Sequence, residues 1–362
     1  MRVALLGATG SIGTQALDVI DRYPEQFEVL GLTSGRRPLD REPRFKVGAE
    51  DPDFEERVTE LVTHPDCDLV LVAIPGVRSL RPTLRALEAG KVVAFATKEV
   101  LVMAGDLVMD LAGEGQIRPV DSEHSAIWQC LWGESRESVS RIVLTASGGP
   151  FWSRPELDWD EVTVEQALNH PRWSMGPKVT IDSATLINKG LELIEAHYLF
   201  GVDVDRIQVV VHRQSVIHSM VEFCDGSTKA QLGNPDMRLP IAVALAYPRR
   251  LPGAVASMSY TEVGRLDMEE LDGVRFPSVG LAREAGRRGA PFPAVFNAAD
   301  EEAVEAFRDG RLRFSGIVPA VESALEAFDA GWRSPDRVGL DDILAADAFA
   351  RSHVHAKLGP ER

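Results

Sequence analysis

Residues 3–23 read VALLGATGSIGTQALDVIDRY. Val3–Leu6 is a short apolar run of the kind carried by a strand buried on both faces. Gly7, Gly10 and Gly13 follow at G-x-x-G-x-x-G spacing, and Ile12, Ala16, Val19 and Ile20 then recur at helical intervals. A strand, a glycine turn and a helix in that order let backbone N–H groups approach a pyrophosphate at the positive helix end. From this stretch alone, a tight turn without ligand remains the alternative.

The next strand, FEVLGLTSGRRP (27–38), ends on Ser34 where an NAD site would usually place Asp or Glu. Arg36 and Arg37 follow. A missing acid and two guanidinium groups favour a 2′-phosphate, hence NADPH; a solvated basic loop is the alternative. CDLVLVAI (67–74) and KVVAFAT (91–97) are further strands, with PTLRALEAG (82–90) a helix between them. That alternation predicts a doubly wound parallel sheet. Residues 38–66, rich in Pro, Asp, Glu and Arg, define no element.

The whole chain has 362 residues, which suggests two or three domains. Lys and Arg total 39 against 55 Asp and Glu, a formal charge of −16. This balance argues against nucleic acid or an anionic membrane as the main partner, but not against a small anionic substrate. Cys67, Cys130 and Cys224 form no CxxC pair, which fits a reducing cytoplasm. The opening MRVALLG is too short for a signal peptide, and no run of ~18 apolar residues suggests a membrane span.

After GQIRPV comes VDSEHSAIWQ (120–129). If VDSE is extended, Asp121 and Glu123 share a face and could bind one hard divalent cation, with Ser122 pointing away or at a turn. Two carboxylates are an incomplete Mg²⁺ or Mn²⁺ site, so a third acid would help. RIVLTASGGPF (141–151) is a strand ending at Ser147-Gly148-Gly149. The following segment, about 148–177, holds Trp152, Trp159 and Trp173 between Gly-Gly and Gly-Pro. It reads as a closing lid or, equally, as a surface excursion whose tryptophans pack locally. TIDSATLINKGLELIEAHYLFG (180–201) reads as one helix, capped by Asp182 or Ser183 and ended by Gly201. Asn188, Lys189 and Glu192 reach one side of it; for Lys and Glu a solvated face is the commoner outcome.

Taken together, GATGSIG, ATKE, VDSEHSAIWQ, ASGGPF, NHPRWSMGPKVTIDSATLINKGLELIEA, VIHSMVEF and GNPDMRLPI occur in order over nearly the whole chain. They resemble the 1-deoxy-D-xylulose 5-phosphate reductoisomerase family of the non-mevalonate isoprenoid pathway. The resemblance implies rearrangement of the substrate's carbon skeleton, then NADPH reduction to 2-C-methyl-D-erythritol 4-phosphate. It implies a divalent metal, Mg²⁺ or Mn²⁺, on Asp121, Glu123 and Glu192. It places Ser147, Ser183, Asn188 and Lys189 at the substrate phosphate and Ser122 and Lys98 at the substrate backbone. His170 and Trp173 belong to the lid, and Lys98, Glu123 and His170 are the candidate catalytic groups. Thr9, Gly10, Ser11, Ile12, Gly35, Arg36, Arg37, Glu99 and Met175 are implied at NADPH.

Ser183 and Asn188 lie about 140° apart on a straight helix. Both can face one phosphate only if the helix begins late or bends near Ile187. Thr97 stands where most members of that family carry Asn, and the 38–66 stretch is short.

The expected fold is α/β: a Rossmann-like dinucleotide-binding domain (1–120), an α+β catalytic and connective domain (121–265) and a helical C-terminal domain (275–362). VIHSMVEFCDGSTKAQLG (216–233) reads as a hairpin around Asp225-Gly226, and the resemblance implies that its sheet pairs two subunits as a homodimer. Two rivals remain at this point. A different NADP-dependent dehydrogenase would need no carboxylate trio, and a redox-sensing binding protein would bind NADPH without turnover.

Overall fold

A computed structural model describes residues 1–35, 37, 41–173, 175–333 and 335–358. Arg36, one of the two expected 2′-phosphate contacts, lies outside the described residues.

Six strands form the N-terminal sheet: β1 (Arg2–Leu6), β2 (Glu28–Ser34), β3 (Phe45–Gly48), β4 (Leu69–Val72), β5 (Val92–Phe95) and β6 (Ile117–Pro119). Every pairing is parallel and the order is β3-β2-β1-β4-β5-β6. This is the doubly wound dinucleotide-binding order, with its switch point between β1 and β4. Val3–Leu6 and Leu69–Val72 are fully buried, as strands covered on both faces must be.

The 38–66 stretch does contain structure. It supplies β3 and a helix, Phe54–Thr63, which buries Phe54, Val58, Leu61 and Val62. Those four apolar residues sit at helical spacing, but the charges between them and the preceding prolines obscured the period.

A second sheet joins β7 (Val139–Ala146), β8 (Ile207–Val211), β9 (Ile217–Phe223), β10 (Thr228–Leu232) and β11 (Glu269–Glu270) in the order β10-β9-β7-β8-β11. The expected hairpin forms between β9 and β10, with Gly226 at φ +84 in its turn. The C-terminal run is helical as expected: Ser278–Arg288, Phe292–Arg308, Ile317–Gly331 and Leu340–Leu358.

The expected single helix at 180–201 is two. Pro177–Thr185 and Ile187–Phe200 meet at Leu186, which is left-handed at φ 59. Asp182 and Ser183 lie inside the first helix and cap nothing; Gly176 occupies its N-cap position. Gly201 ends the second helix in the left-handed conformation, as expected.

Packing does not follow the chain order. Helix Arg238–Ala246 is apolar on every side after its first residue. It buries Ile241, Ala244 and Leu245 in one cluster with Val3, Leu5, Val19 and Ile20. The second half of the chain therefore returns to the dinucleotide sheet, across the boundary expected at 120. Helix Glu99–Leu111, conversely, shares core with Val70, Val72 and Phe95 of that sheet and also packs against Ile187–Phe200 and Phe292–Arg308.

The Glu99–Leu111 and Ile187–Phe200 contact is close. A Cβ on Gly105 would stand 2.2 Å from the Tyr198 ring. Gly105→Ala should therefore overpack the seam and cost about 1–3 kcal/mol. Urea unfolding reads this as a lower midpoint at constant slope; an unmoved midpoint would show that the ring simply yields.

Candidate active site

β6 ends at Pro119, and Asp121 caps the helix Ser122–Cys130, its Oδ1 accepting from the Glu123 backbone N–H at 3.3 Å. The extended reading of VDSE is thus corrected. The two acids converge because a capping side chain folds back over the first helical turn, where Glu123 sits. Ser122 does not point away: its Oγ donates to Glu123 Oε2 at 2.5 Å.

Glu192, 2% exposed, comes from helix Ile187–Phe200 to meet them. One carboxylate oxygen from each of Asp121, Glu123 and Glu192 lies within 4.8 Å of the other two. Lys98, at the start of helix Glu99–Leu111, reaches Asp121 Oδ2 at 2.6 Å and Glu192 Oε1 at 3.1 Å, and donates to Asn188 Oδ1 at 2.8 Å. Lys189 pairs with Glu192 and lies 3.4 Å from Glu123 Oε1. Asn188 Nδ2 donates to Glu192 Oε1 at 2.6 Å. Lys189 and Glu192 are therefore not on a solvated face.

These charges set one another's protonation. Burial works against the Asp121 carboxylate, but Lys98 and His124 outweigh it and hold its pKa well below the usual range. Burial pushes Glu123 up to about 8, with Glu192 and Asp121 adding repulsion against the pull of Lys189. Burial also works against the Lys98 cation, yet Asp121, Glu192 and Glu195 together raise its pKa well above normal. Three oxygen-donor acids against two fixed cations fit one hard divalent ion.

The sequence reading missed a layer behind the trio. His124 is fully buried, with Nε2 2.9 Å from the Glu192 carbonyl and Nδ1 3.4 Å from Asp121 Oδ1. Nδ1 is also 3.3 Å from Glu195 Oε2. Burial opposes its charge, but Glu195 and Asp121 raise the imidazole to about 9. The i, i+3 spacing of Glu192 and Glu195 was the available signal.

One cavity of about 550 Å³ gathers most of the candidate residues. Lys98, Asp121, Ser122 and Glu123 line it beside Asn188, Lys189 and Glu192. Ser147, Ser183, His170, Trp173 and Met175 contribute as well, and Ser11 and Ile12 enter from the glycine turn. The break at Leu186 lets Ser183 and Asn188 share the cavity, one residue from where a bend was needed.

Thr9, Gly10, Gly35, Arg37 and Glu99 do not line it. Thr9 Oγ1 accepts from the Gly35 N–H at 3.0 Å, Arg37 is exposed, and the Glu99 side chain is buried, its ionised form disfavoured by burial and supported by Lys178. Gly10 is the N-cap of helix Ser11–Arg22, which has no side-chain cap. A Cβ on Gly13 would stand 2.2 Å from the Gly7 carbonyl oxygen. Such a close, uncapped helix start suits a pyrophosphate.

Burial lowers His170 to about 4, so its ring is neutral at pH 7. Nδ1 accepts from the Trp173 N–H at 2.9 Å and the Arg172 N–H at 3.2 Å. The proton therefore sits on Nε2 and is donated to Ser147 Oγ at 2.9 Å. Ser147 Oγ also accepts from Gly149 N–H at 3.2 Å, which leaves its own proton free for a ligand. The expected lid divides. Trp152 and Trp159 pack on Phe276, and Trp159 also on Phe314, in a local core, whereas Trp173 stands in the cavity wall 6.2 Å from the His218 ring. Thr97 donates to the Ile74 and Val72 carbonyls at 3.0 and 3.3 Å, binding the end of β4.

The fold and this cavity define a dinucleotide-binding protein with a carboxylate-rich, lysine-bearing second site. Family models for 1-deoxy-D-xylulose 5-phosphate reductoisomerase match residues 3–42 and 49–105, and models of its C-terminal domains match 117–200 and 232–353. The reductoisomerase of Rhodococcus jostii (strain RHA1) is 52% identical over 98% of this chain and 93% of that protein. A crystal structure of the enzyme in complex with NADPH, fosmidomycin and magnesium superposes with a TM-score of 0.89, 36% identity and 99% and 98% coverage. The enzyme of Zymomonas mobilis in complex with NADPH gives 0.87, 40% and 99% of each chain. The chain belongs to the 1-deoxy-D-xylulose 5-phosphate reductoisomerase family.

The acid trio can be tested as a cation site without any substrate. Glu192→Gln keeps the size and removes one charge, so Mn²⁺ affinity should drop roughly tenfold or more, ~1.4 kcal/mol at least. Mn²⁺ titration by electron paramagnetic resonance measures it, with NADPH binding as the folding control. Unaltered Mn²⁺ affinity would remove Glu192 from the site.

Proposed function

We propose that this chain converts 1-deoxy-D-xylulose 5-phosphate to 2-C-methyl-D-erythritol 4-phosphate in isoprenoid biosynthesis, with NADPH and a divalent metal. The supporting observation is the single cavity that joins the uncapped dinucleotide helix at Ser11 and Ile12 to the acids Asp121, Glu123 and Glu192. The direct experiment is NADPH oxidation with this substrate, with and without Mn²⁺. Turnover should require both; turnover without any divalent ion would overturn the metal-dependent reading.

Asp121, Glu123 and Glu192 would hold Mg²⁺ or Mn²⁺, which when bound supplies Lewis-acid polarisation of substrate oxygens. Thr9, Gly10, Ser11 and Ile12 would hold NADPH, with Gly35, Arg36 and Arg37 assigned to its 2′-phosphate and Glu99 and Met175 as further contacts; when bound it would supply the hydride. Lys98, buried and firmly cationic, orients the substrate backbone with Ser122 and stabilises oxyanion charge as the carbon skeleton breaks and re-forms. Lys189 gives the phosphate its positive partner, raised in pKa by Glu123 and Glu192 against the cost of burial. Ser147 donates its free proton to the same phosphate, while Ser183 and Asn188 complete the pocket. Because Nε2 of His170 is the donor, His170 holds Ser147 Oγ in place. Trp173 covers the ligand and excludes water.

The same reading places a homodimer at the second sheet, where Thr228, Lys229, Ala230 and Leu232 of edge strand β10 are exposed. It also places the protein in the cytoplasm. Cys67, Cys130 and Cys224 are free thiols, and among the described residues no helix is long and apolar enough to cross a membrane.

Two outcomes follow from these assignments. NADPH should exceed NADH in kcat/KM, since Ser34 ends β2 and Arg37 lies beyond it; equal values would remove the 2′-phosphate argument. Trp173→Ala should raise substrate KM roughly tenfold, from about 1.5 kcal/mol of lost cover. Phosphonate–hydroxamate inhibitors should weaken in parallel. A variant that binds them as tightly as the parent would make Trp173 a packing residue.

A further inference from the structure

The motif GNPDMRLPI (233–241) has no part in the assignments above, yet Pro235, Asp236, Met237 and Arg238 all line the cavity. Arg238 opens the helix that returns to the dinucleotide sheet. Its guanidinium is fixed from one side by Asp236. Oδ1 accepts from the Arg238 backbone N–H at 3.0 Å and from Nε at 2.9 Å, and Oδ2 accepts from Nη2 at 2.5 Å. The remaining Nη1 donates to Asp18 Oδ2 at 3.2 Å, across 220 residues of sequence.

Asp18 belongs to helix Ser11–Arg22, the helix that begins at the glycine turn. Thr14 and Gln15 of this helix line the cavity with Ser11, and Asp18 lies four and three residues beyond them, one turn along the same face. Asp18 is itself held by Arg22, whose Nη2 is 2.6 Å from Oδ2 and whose Nη1 donates to the Ala254 carbonyl at 3.3 Å. Arg22, Asp18, Arg238 and Asp236 thus form one chain of charges between the cofactor helix and the wall of the substrate cavity.

The side chains of Arg238 and Asp18 are 34% and 41% exposed, and ion pairs so open to water contribute little to folding. What a pre-ordered guanidinium does supply is a fixed distance. We propose that the Asp18–Arg238 pair is an alignment strut: it sets the helix carrying the cofactor cradle against the substrate cavity, making both residues positioning residues for the reduction step. This rests on the functional reading above. In that reaction, carbon–carbon rearrangement needs the groups around Lys98 and the acids, whereas hydride transfer also needs the two halves in register. Transfer rates fall steeply with misplacement of the reacting atoms.

The test uses the full-length enzyme with Asp18→Asn, Arg238→Gln and the double variant. The measurements are kcat, NADPH and Mn²⁺ dissociation constants, thermal midpoint, and the primary isotope effect from NADPH deuterated at the transferred position. Each single variant should lose roughly tenfold in kcat, and the double should lose no more than either single. The isotope effect on kcat should rise as hydride transfer becomes limiting, with Mn²⁺ affinity and thermal midpoint as in the parent. Arg238→Lys, which can keep one bond to Asp18, should recover part of the rate. Unchanged kcat and isotope effect would overturn the strut, as would additive losses or a loss confined to NADPH affinity. Parent enzyme that oxidises no NADPH with 1-deoxy-D-xylulose 5-phosphate would overturn the functional reading and the strut with it.

Discussion

Lys98 Nζ lies between Asp121 and Glu192, and much of the molecule is arranged so that it can. Its two carboxylate partners come from different places: one caps the helix after β6, the other lies inside Ile187–Phe200. Lys98 itself starts the helix after β5. Taking an ammonium group and carboxylates out of water costs several kcal/mol per ion, and mutual attraction offsets this only when geometry and hydrogen bonds are good. Three elements must therefore reach full native packing together before the cluster is tolerable. Close helix contact at Gly105 and Tyr198, and the apolar cluster holding Leu101, Leu191 and Phe296, provide that packing. The cluster still carries three acids against two lysines. Their oxygens would suit one divalent ion, which would favour the ionised form of Glu123 that burial disfavours.

The glycine turn shows why part of this was legible. Gly7, Gly10 and Gly13 and the apolar strands are local patterns, and the strand order that follows from them needs few long-range decisions. The break at Leu186 was legible in another way. A straight helix could not put Ser183 and Asn188 on one phosphate, so geometry demanded a bend that no propensity advertised: leucine is a strong helix former, and its left-handed φ of 59 is imposed by packing at 2% exposure. The conformation of VDSE was misread because i, i+2 logic holds for strands, whereas Asp at an N-cap gives the same convergence by a different route. His124 and Glu195 were missed because a buried imidazole between two carboxylates is a tertiary fact; the sequence shows only an i, i+3 pair of glutamates.

The domain boundaries were the least readable feature, and the reason is physical. Arg238–Ala246 reads as an ordinary apolar helix, and nothing in its composition says which sheet it covers. Its burial with Val3, Leu5 and Val19 means that the two halves share core as well as cavity. A hinge between them cannot lie simply at residue 120, because three chain crossings, near 120, near 235 and between Ala254 and Glu269, connect the halves. The second crossing is the segment that carries Pro235, Asp236, Met237 and Arg238 into the cavity wall. Relative motion of the halves would therefore deform the wall of the cavity that Asp236 and Arg238 line, because the covalent link and the cavity wall are the same residues.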